Sequence, residues 1–235
     1  MGKGWKTPHI AAAAAAKGAK FTKHAREIQV AAKLGGPDPA SNSRLRMAID
    51  SAKEDSCPKD TIERAIKKGA GLLDDGAQIE EITYEGYAPH QVAVIVECQT
   101  DNRNRTATNI RNIFNKNDAR IGEMGSVAWM FDRVSYLEGV NPNVKDAEED
   151  AIEVGANEVT KNIDDSFSFY GNPEELKTIE TGLSGRGWKI TTAELSYKPK
   201  NLTELNDEQK KEVYDFIAKL DNDDDTSRIH ATIEG

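Results

Sequence analysis

The run Val92-Ala93-Val94-Ile95-Val96 constrains this chain more than any other stretch. Five consecutive apolar residues, four of them β-branched, read as a buried β-strand. The residues after it restrict its neighbours. Thr100-Asp101-Asn102 supplies loop and N-cap chemistry, and Ala107, Ile110, Ile113 and Phe114 then recur at helical spacing. Asn115-Lys116-Asn117-Asp118 stops that helix, Gly122 to Gly125 reads as a turn, and Ser126–Phe131 reads as a second strand. On an alternating strand Trp129 shares a face with Val127 and Phe131, so it is expected in the core rather than as a stacking platform for a base. Arg103 and Arg105 fall where strand passes to helix. Amides at a helix start favour anions, and the guanidinium fork suits phosphate. The plain alternative is that the two arginines pair with nearby carboxylates such as Asp101.

Upstream, residues 1–18 offer few anchoring apolar side chains and are expected to be poorly ordered. Phe21, Ala25, Ile28 and Ala32 then predict a helix over 21–34, which Gly35-Gly36-Pro37 ends. Leu45, Ala48, Ile49 and Ala52 predict a second helix over 43–55. Pro58 introduces a third over 59–68, with Ile62, Ala65 and Ile66 inward. These make a small alanine-rich bundle, and residues 70–78 read as a linker. Two strands, 79–87 and 91–98, flank Ala88-Pro89-His90; with the helix and strand after them they give β-β-α-β. Beyond Asn141-Pro142-Asn143 the pattern is α-β-β-α-β: an acidic helix over 145–156, a hairpin around Asp164-Asp165, a helix over 173–183 and a strand over 188–197. The last helix, 206–220, and strand, 227–233, cannot bury their apolar face by themselves. They most simply complete the first sandwich. The expected fold class is therefore α+β: an N-terminal three-helix domain (1–75), then two split, ferredoxin-like α+β domains, with 139–198 inserted into 76–138 plus 199–235.

The net charge is −9, yet it is segregated. Residues 1–70 hold 14 Lys/Arg against 7 Asp/Glu, net +7, which leaves 17 against 33, net −16, for the remainder. A basic head on an acidic body can bind a polyanion, because the local field governs encounter. The expected phosphate contacts are Lys17, Lys20, Lys23, Arg26, Lys33, Arg44 and Arg46, with Arg103 and Arg105 as a second cluster. Tyr84 and Tyr87, beside Gly86, are candidates for exposure. The expected partner is nucleic acid, as duplex DNA or ribosomal RNA, with no membrane and no small-molecule substrate. No stretch approaches a membrane span, and Ala11–Ala16 is too short and weakly apolar for a signal peptide. Cys57 and Cys98 form no framework and are expected to pack in a reducing compartment. The four histidines have no metal spacing, no phosphate-loop or nucleophile-elbow motif occurs, and no group suggests acid–base or covalent catalysis. No cofactor and no catalytic residue are expected. Asp221-Asn222-Asp223-Asp224-Asp225 lacks the glycine of a calcium loop and reads as a solvated turn.

The order of motifs resembles the YebC family. The resemblance is carried by the run Thr100-Asp101-Asn102-Arg103-Asn104-Arg105-Thr106, then by Phe114-Asn115-Lys116 and Gly125-Ser126-Val127-Ala128-Trp129-Met130-Phe131. Phe21-Thr22-Lys23, Gly35-Gly36-Pro37-Asp38-Pro39, Arg44-Leu45-Arg46 and Tyr84-Glu85-Gly86-Tyr87 match as well. The family includes bacterial transcriptional regulators and a mitochondrial translational activator of cytochrome oxidase. The resemblance implies a helical domain with two α+β domains, one inserted in the other. It also implies a non-enzymatic DNA-binding transcriptional regulator, or alternatively a ribosome-associated translation factor. Its members carry more Lys, Arg and His in the first 16 residues than this chain does, so no phosphate contact is assigned there. The location implied is cytoplasmic, or the mitochondrial matrix for a eukaryotic mature chain. A reading of another class remains, a protein-interaction module whose acidic body binds a basic partner. A hydrolase using carboxylates in an interdomain cleft is a remote fourth, with no pair to name.

Overall fold

The computed structural model describes residues 7–73 and 78–234, with side chains from residue 17 onward. It is an α+β chain of two compact units, one running to Val127 and resuming at Thr203–Ile233, the other Ala128–Leu202.

The first unit opens with a three-helix head: α1 (Thr7–Gly35), α2 (Ser43–Glu54) and α3 (Lys59–Gly69). The expected start of α1 at residue 21 is corrected. The helix begins at Thr7, since an alanine run propagates a helix at the least cost per residue even without an amphipathic pattern. Residues 1–6, part of the segment expected to be poorly ordered, lie outside the described residues. So do 74–77 of the expected linker. Asn42 caps α2 by accepting from the Leu45 amide and also donates to the Ala31 and Gly36 carbonyls, tying the two helices together. Ile28, Ala31, Leu45, Ile49, Ala52 and Ile62 form the head's core.

The head docks on a sandwich in the same unit. Its strands are β1 (Glu80–Tyr87), β2 (Ala93–Thr100), β3 (Arg120–Ile121) and, after the inserted unit, β8 (Thr226–Ala231). The sheet order is β3-β1-β2-β8, antiparallel throughout. Helices α4 (Arg103–Asn115) and α7 (Asp207–Asp221) cover one face, where Phe114 and Phe216 meet edge to face at 5.1 Å among Val94, Val96, Ile110 and Leu220. The C-terminal helix and strand thus return to complete this sandwich. Gly86 permits the tight pairing of β1 with β3: a Cβ there would lie 2.4 Å from the Arg120 carbonyl and 2.7 Å from the Phe114 ring.

The second unit is a ferredoxin-like sheet in the order β5-β6-β4-β7, antiparallel throughout. Its strands are β4 (Phe131–Val140), β5 (Glu158–Lys161), β6 (Phe167–Gly171) and β7 (Lys189–Pro199). Helices α5 (Ala147–Val154) and α6 (Leu176–Gly185) cross over one face. Leu137, Phe169, Ile179, Leu183 and Trp188 make its core. The unit takes in Phe131–Val140, so it begins ahead of the expected residue 139, which falls inside β4.

The expected strand 126–131 is also corrected. Ala128–Met130 is a turn of 3-10 helix, and β4 starts only at Phe131. The cause is distant in sequence: the buried Glu85 carboxylate accepts the amides of Gly125 (2.7 Å) and Val127 (2.8 Å), bending the chain away from a ladder. Alternation therefore fails, and Trp129, expected in the core, is 66% exposed.

Candidate nucleic-acid interface

The α4 N-terminus is built from its own sequence. Asn102 accepts the Arg105 amide at 3.1 Å, and the Thr100 hydroxyl accepts the Asn102 amide at 2.9 Å. This presents Arg105 toward the turn after α7, where it meets Asp225. That carboxylate is 2% exposed and is the hub of the first unit. Arg105 reaches it at 2.9 Å, Arg26 of α1 at 2.7 Å, and the Thr106 hydroxyl donates to it at 2.6 Å. Burial pushes the Asp225 carboxyl up, but Thr106, Arg105 and Arg26 together outweigh it and hold the group below the usual carboxylate range. Arg105 also pairs with Asp101 at 2.9 Å, the local carboxylate that its sequence position suggests. Lys23 binds the side chain and carbonyl of Asp221, Arg26 donates to the Asp224 carbonyl, and Asn109 donates to Asp223 at 3.1 Å. The acidic run expected as a solvated turn is therefore the seat on which α1 and α4 converge, while Asp221 and Asp224 keep exposed side chains.

A second seam runs along α1. Glu27 takes the Arg44 guanidinium at 2.7 and 3.3 Å and accepts from Gln99 of β2 at 2.7 Å, with Arg228 of β8 at 3.7 Å. Burial raises the Glu27 carboxyl, and Arg44, Arg228 and Gln99 outweigh it, lowering it to about 2. Arg44 reaches on to Glu81 at 3.2 Å, and Lys33 donates to the Ile79 carbonyl at 3.1 Å.

The nine cations singled out in the sequence thus divide in two. Lys23, Arg26, Lys33, Arg44 and Arg105 face carboxylates or carbonyls of the seams, Lys33 and Arg105 while still partly exposed. Lys17, Lys20, Arg46 and Arg103 lie on exposed surface: Lys17 over the Phe21 ring at 5.5 Å, Lys20 paired with Asp55 and Arg103 with Glu80 at 3.4 Å. Helix α3 adds exposed Lys59, Arg64 and Lys67, which its apolar periodicity alone does not mark. Asp225 and Glu27 also escape a reading of local pattern. The signal available for Asp225 is Arg105, and for Glu27 it is Arg44, each an arginine whose main carboxylate partner lies far off in sequence. Tyr84 and Tyr87 are half-buried, and Tyr84 packs against the core. Cys57 and Cys98 are buried, and burial pushes the Cys98 thiol up to about 12. Among the described residues no cluster of metal-ligating side chains forms, and no helix is long and apolar enough to cross a membrane.

A helical head with outward cations, ion-paired onto a split α+β sandwich that carries a second inserted in it, defines the class. Comparison with known proteins gives the family. The model of the TACO1/YebC protein N-terminal domain matches residues 5–72, and that of the TACO1/YebC second and third domain matches 79–233. The chain belongs to this YebC family. It is 59% identical over 99% of its length to the whole of a "probable transcriptional regulatory protein" of Bdellovibrio bacteriovorus. It is 44% identical over its full length to the whole of a protein of the same description from Pseudomonas fluorescens. The crystal structure of a conserved hypothetical protein from Aquifex aeolicus superposes with a TM-score of 0.81 at 42% identity, covering 92% of this chain and 90% of that one.

Proposed function

We propose that the protein is a non-enzymatic transcriptional regulator that binds duplex DNA through the phosphate backbone, using the outward surface of its helical head. The relatives' descriptions as transcriptional regulatory proteins support a regulatory role. The observation that carries the nucleic-acid reading is the set of exposed cations on a segment of net charge +7.

Energetics decide which cations serve. An exposed ion pair is worth about 0–1 kcal/mol, so Lys20 leaves Asp55, and Arg103 leaves Glu80, for a phosphate at little cost. Breaking a buried pair costs about 3–5 kcal/mol, which keeps Arg26 on Asp225. Phosphate contact on the head therefore falls to Lys17, Lys20, Arg46 and the α3 residues Lys59 and Lys67, with Arg103 of α4 as a further contact beyond the head. Lys23, Arg26, Lys33, Arg44 and Arg105 are positioning residues that hold the head in place. Phosphate contacts orient a protein without reading bases, so this surface gives affinity rather than sequence choice. The site of action is the cytoplasm.

The experiment is equilibrium binding to duplexes of unrelated sequence and, in parallel, to purified ribosomes. Wild type is compared with a variant in which Lys17, Lys20, Arg46 and Lys67 are alanine. The variant should lose affinity for every duplex to a similar degree while its melting temperature stays near that of wild type. Tight ribosome binding with no duplex binding at low salt would replace this reading with a translation factor. Binding to neither would leave an interaction module built on the acidic body.

A further inference from the structure

The inserted unit presents a second surface that the cationic head does not explain. Both of its helices pack on one face of the sheet, against Leu137 and Phe169. Side chains alternate along a strand, so Tyr136 of β4 and Tyr170 of β6 stand on the opposite face. The two tyrosines are directly opposite each other in the ladder, on the two central strands of the sheet. Their rings lie 5.4 Å apart at 47°, and both are half-buried. In a four-stranded sheet of this topology, the first and third strands are where an RNA-recognition sheet carries the aromatics that stack bases. Polar groups surround the pair: the Ser168 hydroxyl lies 3.2 Å from that of Tyr136, and Asn162 donates to Ser168 at 3.0 Å. The Lys198 ammonium lies over the Tyr170 ring, 4.6 Å from its centroid, so a base that stacks on that side displaces a lysine held only by an exposed pair with Glu158.

We propose that this sheet face, opposite α5 and α6, is a platform for unpaired bases of single-stranded nucleic acid, with Tyr136 and Tyr170 as its stacking residues. Every base has a π-face, so stacking on tyrosine tolerates sequence. The charge of the face sets its character. Asp132, Glu138, Glu158 and Glu194 outnumber Lys198 and Lys200. Three of these acids are engaged: Glu138 accepts from the Tyr136 hydroxyl at 2.9 Å, Glu158 pairs with Lys198, and Asp132 lies 3.5 Å from Lys200. Such a surface grips bases and leaves the backbone in solvent. Its affinity should depend weakly on salt, unlike a site whose phosphate contacts each add about 0.7 to the slope for a single strand. The platform is independent of the duplex-binding head, since it uses a different unit and different chemistry.

The test uses the full chain with three probes: a short oligouridylate, the matching oligothymidylate and a blunt duplex. Wild type should bind both single strands with a shallow salt dependence. Tyr136→Ala with Tyr170→Ala should weaken single-strand binding about 5- to 150-fold for each base that no longer stacks and leave duplex binding unchanged. Tyr136→Phe with Tyr170→Phe should bind as wild type does, because the ring stacks and the hydroxyl does not. Similar affinity for uridylate and thymidylate supports stacking, whereas a requirement for the 2′-hydroxyl would overturn it. Should the alanine pair fail to fold, ring resonances of Tyr136 and Tyr170 in the wild-type chain provide the readout. They should shift on adding oligouridylate, and unmoved resonances at saturation would overturn the proposal. In the variant with Lys17, Lys20, Arg46 and Lys67 as alanine, single-strand binding that persists while duplex binding falls supports the platform, and its loss along with duplex binding would overturn it.

Discussion

Asp225→Asn is the substitution whose consequence the structure defines best. It keeps the shape of a side chain that is 2% exposed and removes the charge that two guanidiniums share. Arg26, 12% exposed, is left beside a neutral amide. Arg105 is 44% exposed and retains Asp101, so its share is small. Removing one partner of a buried pair costs about 3–5 kcal/mol, and the lower end applies with one arginine half in water. For a chain of this size about 3 kcal/mol corresponds to a fall of roughly 6–12 °C in Tm. Differential scanning calorimetry of wild type, Asp225→Asn, Arg26→Met and the double variant completes a cycle. The two single losses should be strongly non-additive, the double variant being little worse than Asp225→Asn. A fall below about 2 °C, or additive losses, would refute the claim that Asp225 is the hub joining α1 to the sandwich.

Acid should loosen the same unit through Glu27. Its carboxyl falls from 4.5 to about 2 on folding, so the stabilisation is complete above the unfolded value and is lost as pH drops from 4.5 toward 2. The loss is on the order of 3 kcal/mol, read by urea unfolding at several pH values, and Glu27→Gln should flatten that part of the profile. Gly69→Ala places a Cβ 2.3 Å from the Gln29 carbonyl, where α3 crosses α1. The head should lose about 1–3 kcal/mol, seen as faster amide exchange in α1 and α3 with the inserted unit unchanged. Phe114→Ala empties a fully buried site against Phe216 and should cost about 3–5 kcal/mol by chemical denaturation.

How far the sequence is legible depends on the range of the interactions involved. The buried strand around Val94, the helix carrying Ile110 and Phe114, and the return of the last helix and strand are legible, because each rests on local apolar spacing or on a face that must find cover. The start of α1 is hidden because an alanine run shows propensity without periodicity. The turn at 128–130 is hidden because its cause, Glu85, lies some forty residues upstream in the chain. The exposure of Trp129 comes with that turn. Asp225 looks like one of several solvated acids, since its partner arginines sit 120 or more positions away. Among the nine cations the sequence shows charge and cannot show partners. Ion pairs such as Arg44 with Glu27 and Lys23 with Asp221 form only once the chain has folded.

In the proposed function the outward cations of the head bind phosphate while the inward ones hold the head in place. The slope of log K against log salt for a duplex of arbitrary sequence measures this directly, compared between wild type and the variant with Lys17, Lys20, Arg46 and Lys67 replaced by alanine. Each cation removed from a phosphate should flatten the slope by about 0.9, so the variant's slope should be shallower by up to roughly four such steps, with Tm little changed. An unchanged slope in a stably folded variant would contradict it.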